Sequence, residues 1–312
     1  MLAIKTISHN SAIYRRSIRL MGDQFEISVV GDDHLWAEDC FNAAVAEINR
    51  VEKLLSAFNE DSAINEINRY AGIKAVKTKG EIFRLIDRSL QIADLTYGAF
   101  DITYVTAGKD HSNFDNDNVI TAKSVAANLS YKNIELNAKE QSVFLKEEGM
   151  RIGFASISKG YAADRAKYIL QLRGVSSGVI NVGGDLLTWG TQPDNEPWTI
   201  ATADPTQENE LYADVVISNM AVATSLNTEN YASINNKKLL GSLTAKKGFP
   251  VSKIKSVSII STTAELADAM ATPVLSIGVN AGLYLINQLN QIAAVIIDDQ
   301  DRVYTSKNIN IN

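Results

Sequence analysis

The order of the periodic segments constrains the fold of this chain more than any other feature of its sequence. Segments with helical spacing of apolar residues and segments with strand-like alternation come in blocks, without a strict strand–helix–strand repeat. A doubly wound parallel sheet needs that repeat, because each parallel crossover usually contains a helix. The sequence therefore predicts an α+β fold with mixed, largely antiparallel sheets and packed helices. One module is expected to cover residues 1–312.

Helical spacing predicts five helices, several of them with recognisable ends. Asp61 or Ser62 is expected to cap the second helix, Tyr97-Gly98 to end the third, and Gly174 to follow the fourth. The predicted helices are His34 to Leu55, Asp61 to Tyr70, Glu81 to Leu95, Ser158 to Leu172 and Thr262 to Thr272.

Alternating or short apolar runs predict the strands, and the Asp- and Asn-rich stretch Asp110 to Asn118 predicts an exposed loop. The first strand is interrupted at Met21-Gly22-Asp23. The predicted strands are Ile18 to Val30, a hairpin within Tyr131 to Met150, Gly178 to Val182, Leu186 to Trp189, Trp198 to Thr202, Ala213 to Ile217, Ser256 to Ser261, and a last hairpin of Ala293 to Ile297 with Val303-Tyr304.

Charge and cysteine content narrow the function classes. The net charge is −6 and no cluster of Lys and Arg stands out, which argues against a nucleic-acid partner but permits a nucleotide held by backbone amides and a metal. The single cysteine, Cys40, excludes an internal disulfide and is expected to be a buried thiol instead of a lipid anchor. No apolar run is long enough for a membrane span, and the basic residues near Met1 lack the apolar core of a signal peptide. As written, the chain is expected to be cytoplasmic, or exported if its true N-terminus is longer.

The helix Thr262 to Thr272 presents a candidate metal site. Thr262 and Glu265 have the spacing of a capping box, and Pro273 is expected to end the helix. Asp268 and Thr272 lie four residues apart, so their oxygens share one face, and a carboxylate with a hydroxyl suits Mg²⁺. The alternative is that Asp268 faces solvent while Thr272 bonds the carbonyl four residues before it.

Several other segments could contact a nucleotide, each with a plain structural alternative. The helix start at Ser156 to Gly160 offers free amides and the charge of Lys159 to a phosphate, or is simply a capped helix. Gly183-Gly184-Asp185 lets a ligand approach the backbone, or forms only a tight turn. The remaining candidates are Thr224-Ser225, which offers hydroxyls and amides; Phe58, which could stack on a flat ring or belong to the core; and Asp101, which could bond a ribose hydroxyl or a loop amide.

Taken together and in this order, these segments resemble the FAD:protein FMN transferase family, the ApbE flavin transferases. The matching pieces are Met21-Gly22, Ser56 to Asn68, Gly98 to Thr103, Lys159 to Asp164, Asn181 to Asp185, Trp198 to Pro205, Thr224-Ser225, Gly248-Phe-Pro250 and Ala267 to Thr272.

The resemblance implies an ApbE-like fold and Mg²⁺-dependent transfer of FMN from FAD to a Thr or Ser hydroxyl of a target protein, with release of AMP. It places Lys159 at the pyrophosphate and makes Lys159 and Asp268 the catalytic candidates. By position, Asp268 and Thr272 would bind the metal through side chains and Ser156 through its backbone carbonyl. The implied flavin-nucleotide contacts are Met21, Phe58, Ala99, Phe100, Asp101, Lys159, Gly183, Gly184, Thr224 and Ser225.

The chain departs from the family pattern at several positions. Gly153 and Ala155 replace an Asp and a Gly of the segment before Lys159, and Leu226 replaces the Gly of a Thr-Ser-Gly segment. The family's His-containing stretch reads Gly241 to Ala245 here, with Thr244 at the nearby Asp, so the histidine that assists the nucleophile is absent. Two alternatives follow: a flavin-nucleotide-binding protein with lost or weak catalysis, and a Mg²⁺-dependent FAD pyrophosphatase.

Overall fold

The computed structural model describes residues 12–57, 59, 61–104, 129–203, 211–227 and 254–307. The predicted loop Asp110 to Asn118 and the sites expected at Phe58, Gly241 and Thr244 lie outside these residues. Within them are six α-helices: α1 (His34–Leu55), α2 (Ala63–Arg69), α3 (Gly80–Leu95), α4 (Ser158–Leu172), α5 (Ala264–Ile277) and α6 (Val279–Ile286).

Fifteen strands occur in the same described ranges, and every pairing between them is antiparallel. The strands are β1 (Ala12–Leu20), β2 (Asp23–Gly31), β3 (Val76–Lys77), β4 (Thr103–Tyr104), β5 (Ile134–Asn137), β6 (Ser142–Leu145), β7 (Arg151–Ile152), β8 (Gly178–Val182), β9 (Asp185–Trp189), β10 (Thr199–Ala203), β11 (Leu211–Val216), β12 (Ala221–Leu226), β13 (Ile254–Ser261), β14 (Ile292–Asp298) and β15 (Val303–Thr305).

An eight-stranded sheet organises the molecule, in the spatial order β1-β2-β8-β9-β12-β13-β14-β15. Three small sheets accompany it: β10 with β11, β3-β6-β5, and β4 with β7. The α+β class with largely antiparallel sheets is therefore confirmed. Apart from shifts of a few residues at their ends, the predicted helices before Gly174 and most predicted strands are confirmed as well.

Helices cover one face of the main sheet and enclose the core. Asp33 caps α1 by accepting a hydrogen bond from the Leu35 amide at 2.7 Å. Helix α4 packs between α1 and α5, and α5 lies on β12 and β13. Cys40 is buried in the core cluster, and burial raises the pKa of its thiol, as expected for a structural cysteine. No helix in the described ranges is long and apolar enough to cross a membrane.

Helix α5 begins and ends differently from the prediction. Thr263, not Thr262, is its N-cap, and Glu265 does not complete a capping box, because its carboxylate bonds Arg88 at 2.6 Å. The helix also continues through Pro273 to Ile277. Pro273 and its neighbour Val274 are buried, so the packing of this face outweighs the single backbone hydrogen bond that a proline removes.

Candidate functional site

Two tight hairpin turns lie side by side at one end of the main sheet. Met21 and Gly22 join β1 to β2, and Gly183 and Gly184 join β8 to β9; all four residues have positive φ. Two-residue turns of this kind match the twist of the strands they connect, so the tight-turn reading of Gly183-Gly184 is correct. The turns adjoin because β2 pairs with β8, and the Gly183 amide donates to the Gln24 carbonyl at 3.1 Å.

Met21 is the unusual member of these turns. Its φ of 53° is a conformation that glycine adopts readily and a long side chain rarely adopts. Strained backbone of this kind concentrates at ligand-binding sites, where the surrounding structure holds it in place. Met21 lies in the turn that precedes Asp23 and Gln24, two residues that contact Gly183, and its role at the flavin nucleotide stays a prediction.

Lys159, in the first turn of α4, reaches these hairpin turns. Its Nζ donates to Oδ2 of Asp23 at 2.9 Å. Burial alone would lower the Lys159 pKa, but the hydrogen bond and the negative charges of Asp23, Asp268 and Asp185 raise it. The hydrogen bond from Lys159 in turn lowers the pKa of Asp23. Lys159 is therefore a cation at the same end of the sheet as the glycine turn.

Asp268 points from α5 to the N-terminus of α4. Its Oδ2 accepts a hydrogen bond from the Gly160 amide at 3.2 Å, where the helix dipole favours a negative group. Burial raises the Asp268 pKa to about 7. The alternative that Asp268 simply faces solvent is wrong. The amide predicted to receive a phosphate already has a carboxylate acceptor.

Thr272 continues the same face of α5 and contacts strand β12. Its Oγ1 lies 2.9 Å from the Ser225 Oγ, so its hydroxyl is paired across to the sheet. The neighbouring Thr224 donates its amide to Asp185 at 2.9 Å, and its hydroxyl lies 2.8 Å from the Ser258 hydroxyl. Burial raises the pKa of Asp185. Thr224 and Ser225 thus connect the α5 face to the Gly183-Gly184 hairpin.

A small cleft lies between α4, α5 and the main sheet. Three charged side chains line it, each from a different predicted segment: Lys159, Asp185 and Asp268. The rest of its lining is apolar. The apolar lining residues are Ala163, Ile180, Val182, Leu186, Leu187, Val222, Ala223, Ala264 and Ala267.

Asp164 sets the position of α5 relative to α4. Its two carboxylate oxygens accept hydrogen bonds from the amides of Ala264 and Glu265, at 3.0 and 2.8 Å. These amides begin α5 and have no partner within the helix. Burial raises the Asp164 pKa to about 6. Asp164 therefore joins the start of α5, and with it Asp268, to the middle of α4.

Asp164→Ala is expected to lower the free energy of unfolding by about 1–2 kcal/mol, because it leaves two helix-start amides without their acceptor. Thr263→Ala is the matched comparison, since Thr263 caps the same helix through one longer bond of 3.4 Å to the Leu266 amide. Urea unfolding of both variants measures the difference. A smaller loss in Asp164→Ala than in Thr263→Ala would contradict the assignment of Asp164 as the main cap.

The remaining predicted contacts lie in nearby segments. Ser156 is exposed in the turn before α4, two residues ahead of its first residue. Ala99 is partly buried and Phe100 is buried in the core, in the loop between α3 and β4. Asp101 accepts hydrogen bonds from the amides of Thr103 and Tyr131 at 2.9 and 3.1 Å, so it bonds loop amides, one of its two predicted alternatives.

Gly153, one of the departures from the family pattern, contacts an aromatic ring. A Cβ at this position would lie 3.0 Å from Cε1 of Tyr104. A larger side chain at position 153 therefore requires Tyr104 to move, and the tyrosine ring accounts for the small residue in physical terms.

Three acidic residues with roles in this site were given none from the sequence: Asp23, Asp164 and Asp185. Each belongs to a segment that was singled out, Met21 to Asp23, Lys159 to Asp164 and Gly183 to Asp185. Their position directly after a glycine-containing turn, or one helical turn along from Gly160, is the signal that points to them. Their partners are far away in the sequence, so the individual hydrogen bonds could not be predicted.

Comparison with known proteins agrees with this geometry. The model of the ApbE family matches residues 21–296. An FAD:protein FMN transferase of Klebsiella pneumoniae (strain 342) is 27% identical over 294 residues, covering 92% of this chain and 90% of its own length. An FAD:protein FMN transferase of Escherichia coli (strain K12) is 25% identical over 271 residues, covering 83% of this chain and 77% of its own length.

Solved structures share the fold. The apo form of the Pseudomonas stutzeri flavinyl transferase ApbE superimposes with a TM-score of 0.75 at 22% identity, covering 95% of this chain and 96% of that one. The ApbE protein of Thermotoga maritima gives the same TM-score of 0.75 at 23% identity, covering 95% of this chain and 97% of that one.

Proposed function

Because this chain belongs to the ApbE family, we propose that it is an FAD:protein FMN transferase, which moves FMN from FAD to a Thr or Ser hydroxyl of a target protein. The reaction breaks the bond between the FMN phosphorus and the bridging oxygen of the pyrophosphate. A new bond forms between that phosphorus and the acceptor oxygen, AMP leaves, and the hydroxyl loses its proton. The observation that carries the proposal is that Lys159 and Asp268 line one cleft, with Lys159 bonded to Asp23 at the hairpin turns and Thr272 one helical turn along α5 from Asp268.

The chain's own residues are suited to bind a pyrophosphate at the rim of this cleft, whose interior has room for only about one water molecule. Lys159 supplies a cation, and at Gly184 no atom lies within 4 Å of the position that a Cβ would take, so a ligand can approach the backbone there. Phosphoryl transfer depends mainly on positioning and charge stabilisation, so a fixed cation and exposed backbone meet its requirements. In this proposal Met21, Ala99, Thr224 and Ser225 contact the rest of the flavin nucleotide, together with Phe58. Phe100 is buried in the core and Asp101 bonds loop amides, so these two are not among the proposed contacts.

The α5 face fits a Mg²⁺ ion by the chemistry of its donors. Asp268 offers a carboxylate whose raised pKa reflects burial with little compensating positive charge, and Thr272 offers a hydroxyl one turn along. Hard oxygens of this kind are the donors that Mg²⁺ prefers, with water and ligand phosphates completing the shell. The Ser156 carbonyl is the third donor in this proposal. A cluster of three His, Cys, Asp or Glu side chains is absent from the described parts of the chain, so the ion relies on this smaller set. When bound, Mg²⁺ neutralises charge on the phosphates.

The test is incubation of the protein with FAD, Mg²⁺ and a Thr-containing peptide, followed by AMP release and peptide mass. Release of one AMP for each peptide that gains an FMN group is the expected result. AMP accompanied by free FMN would support the pyrophosphatase instead, a reading motivated by the absent family histidine at Gly241. Bound FAD that stays intact would reject both enzymatic activities and leave a flavin-nucleotide-binding protein.

A further inference from the structure

Asp23 is held in one place at the end of the β1–β2 hairpin. Its Oδ1 accepts a hydrogen bond from the Gln24 amide at 2.8 Å, and its Oδ2 accepts the bond from Lys159 at 2.9 Å. Both side chains of the ion pair remain about one third exposed, at 37% for Lys159 and 32% for Asp23. Lys159 also lines the cleft, so a ligand at the cleft can reach the exposed part of this pair.

Gly183 makes room for this carboxylate. A Cβ at position 183 would lie 2.7 Å from the Asp23 Oδ2 and 2.8 Å from its Oδ1. The absence of a side chain at the second hairpin turn thus allows Asp23 to occupy the space next to it. The Gly183 backbone of one turn packs against the Asp23 side chain of the other.

Asp23 is one of three carboxylates whose negative charge acts on the Lys159 ammonium. Asp268 and Asp185 already act on the Lys159 ammonium, so with all groups ionised one positive and three negative charges give the cluster a net charge of −2. A third carboxylate weakens the attraction of this lysine for an anionic ligand. Because the ion pair opposes ligand binding, we expect it to have a different role. Its geometry indicates that role: the bond to Asp23 holds the Lys159 ammonium in place next to Gly183.

We propose that Asp23 is a positioning residue for Lys159, holding its ammonium at the hairpin turns in the orientation that turnover requires, at some expense in affinity for the anionic nucleotide. The inference rests on the proposed function for its turnover component. Its consequence is that removing the charge of Asp23 has opposite effects on nucleotide binding and on turnover. A residue that served only the stability of the fold would weaken both.

The test is Asp23→Asn, which keeps the size of the side chain and an oxygen acceptor for the Gln24 amide. FAD affinity, measured by flavin fluorescence in EDTA so that no turnover occurs, is expected to rise about fivefold, as for loss of one partly screened charge. The kcat for AMP release with Mg²⁺ is expected to fall about tenfold, because the ammonium loses its fixed position. In a Lys159→Ala background, Asp23→Asn should no longer lower kcat, because there is no ammonium to position, whereas the affinity gain from the lost negative charge should remain.

The controls distinguish a positioning role of Asp23 from a purely structural one. They also distinguish a failure of this inference from a failure of the proposed function. Asp39→Asn, at an exposed carboxylate of α1, should leave affinity and kcat unchanged. Unchanged values in Asp23→Asn, or a joint loss of affinity and kcat with a lowered Tm, would overturn the positioning role. If the wild-type protein releases no AMP, the proposed function fails. The pKa of the Lys159 ammonium, followed by NMR, then decides whether Asp23 controls the lysine: it should fall in Asp23→Asn because the ion pair is lost, and an unchanged pKa would overturn the positioning role.

Discussion

Asp268→Ala is expected to lower the rate of AMP release from FAD by at least about a hundredfold and to abolish the response to added Mg²⁺. Asp268 is the carboxylate of the α5 face, and it lies within hydrogen-bond distance of the first turn of α4, at 3.2 Å from the Gly160 amide. Its loss removes the negative donor of the proposed ion and leaves only the Thr272 hydroxyl and the Ser156 carbonyl to hold it. A bound metal ion lowers the free energy of the transition state by several kcal/mol, which accounts for the size of this rate loss.

The measurement is AMP release as a function of Mg²⁺ concentration. The expected curve for Asp268→Ala is flat, while Asp39→Ala, which removes an exposed carboxylate from α1, should match the wild-type curve. Circular dichroism and a thermal melt establish that both variants are folded. A folded Asp268→Ala protein with wild-type Mg²⁺ dependence would reject the metal assignment.

Gly160→Ala is expected to lower the free energy of unfolding by about 3 kcal/mol, the upper part of the range for overpacking a close contact. Helices α4 and α5 approach closely here, and a Cβ at position 160 would lie 2.4 Å from the Ala264 carbonyl oxygen and 2.6 Å from its carbon. These are backbone atoms at the start of α5, and Asp164 holds that start in place. The helices must therefore separate, and the contact between Asp268 and the α4 amides is lost with them.

Gly80→Ala is the matched control for this substitution. Gly80 also begins a helix, α3, but the nearest atom to a Cβ there is the end of the flexible Arg84 side chain, at 3.2 Å. Alanine is a better helix former than glycine, so Gly80→Ala should be neutral or stabilising by up to about 1 kcal/mol. Urea unfolding compares the two variants. Equal stability of Gly160→Ala and Gly80→Ala would show that the α4–α5 contact is not tight.

The sequence predicts the elements of this fold well where the periodic pattern and the ends of the element agree. In α1, Cys40, Ala44, Ile48 and Val51 are buried at helical spacing, and the helix has its predicted bounds. In α5 the pattern was correct but both ends were not. Adjacent threonines at 262 and 263 could each cap the helix, and the choice depends on Asp164 and Arg88, which come from other helices.

The segments that form the candidate site could likewise be identified from local features of the sequence. Segments chosen for local features, a lysine at a helix start, an Asp and Thr on one helix face and a glycine pair, are brought together by the antiparallel order of the sheet. The pairings inside the site were not predictable. Ser225 was expected to offer its hydroxyl to a ligand, yet it bonds Thr272, and the partner of Lys159 is Asp23. Such contacts depend on strand register and helix packing between residues 47 positions apart in the first case and 136 in the second.

If the proposed function is correct, the metal and the FAD pyrophosphate bind together at the rim of one cleft, and anomalous diffraction tests this most directly. Crystals grown with FAD and Mn²⁺, which substitutes for Mg²⁺ and scatters anomalously, locate the ion without reference to activity. We expect a peak within about 2.5 Å of the Asp268 carboxylate and the Thr272 hydroxyl, with a phosphate group within hydrogen-bond distance of Lys159. A manganese peak away from Asp268, or a pyrophosphate bound out of reach of Lys159, would contradict it.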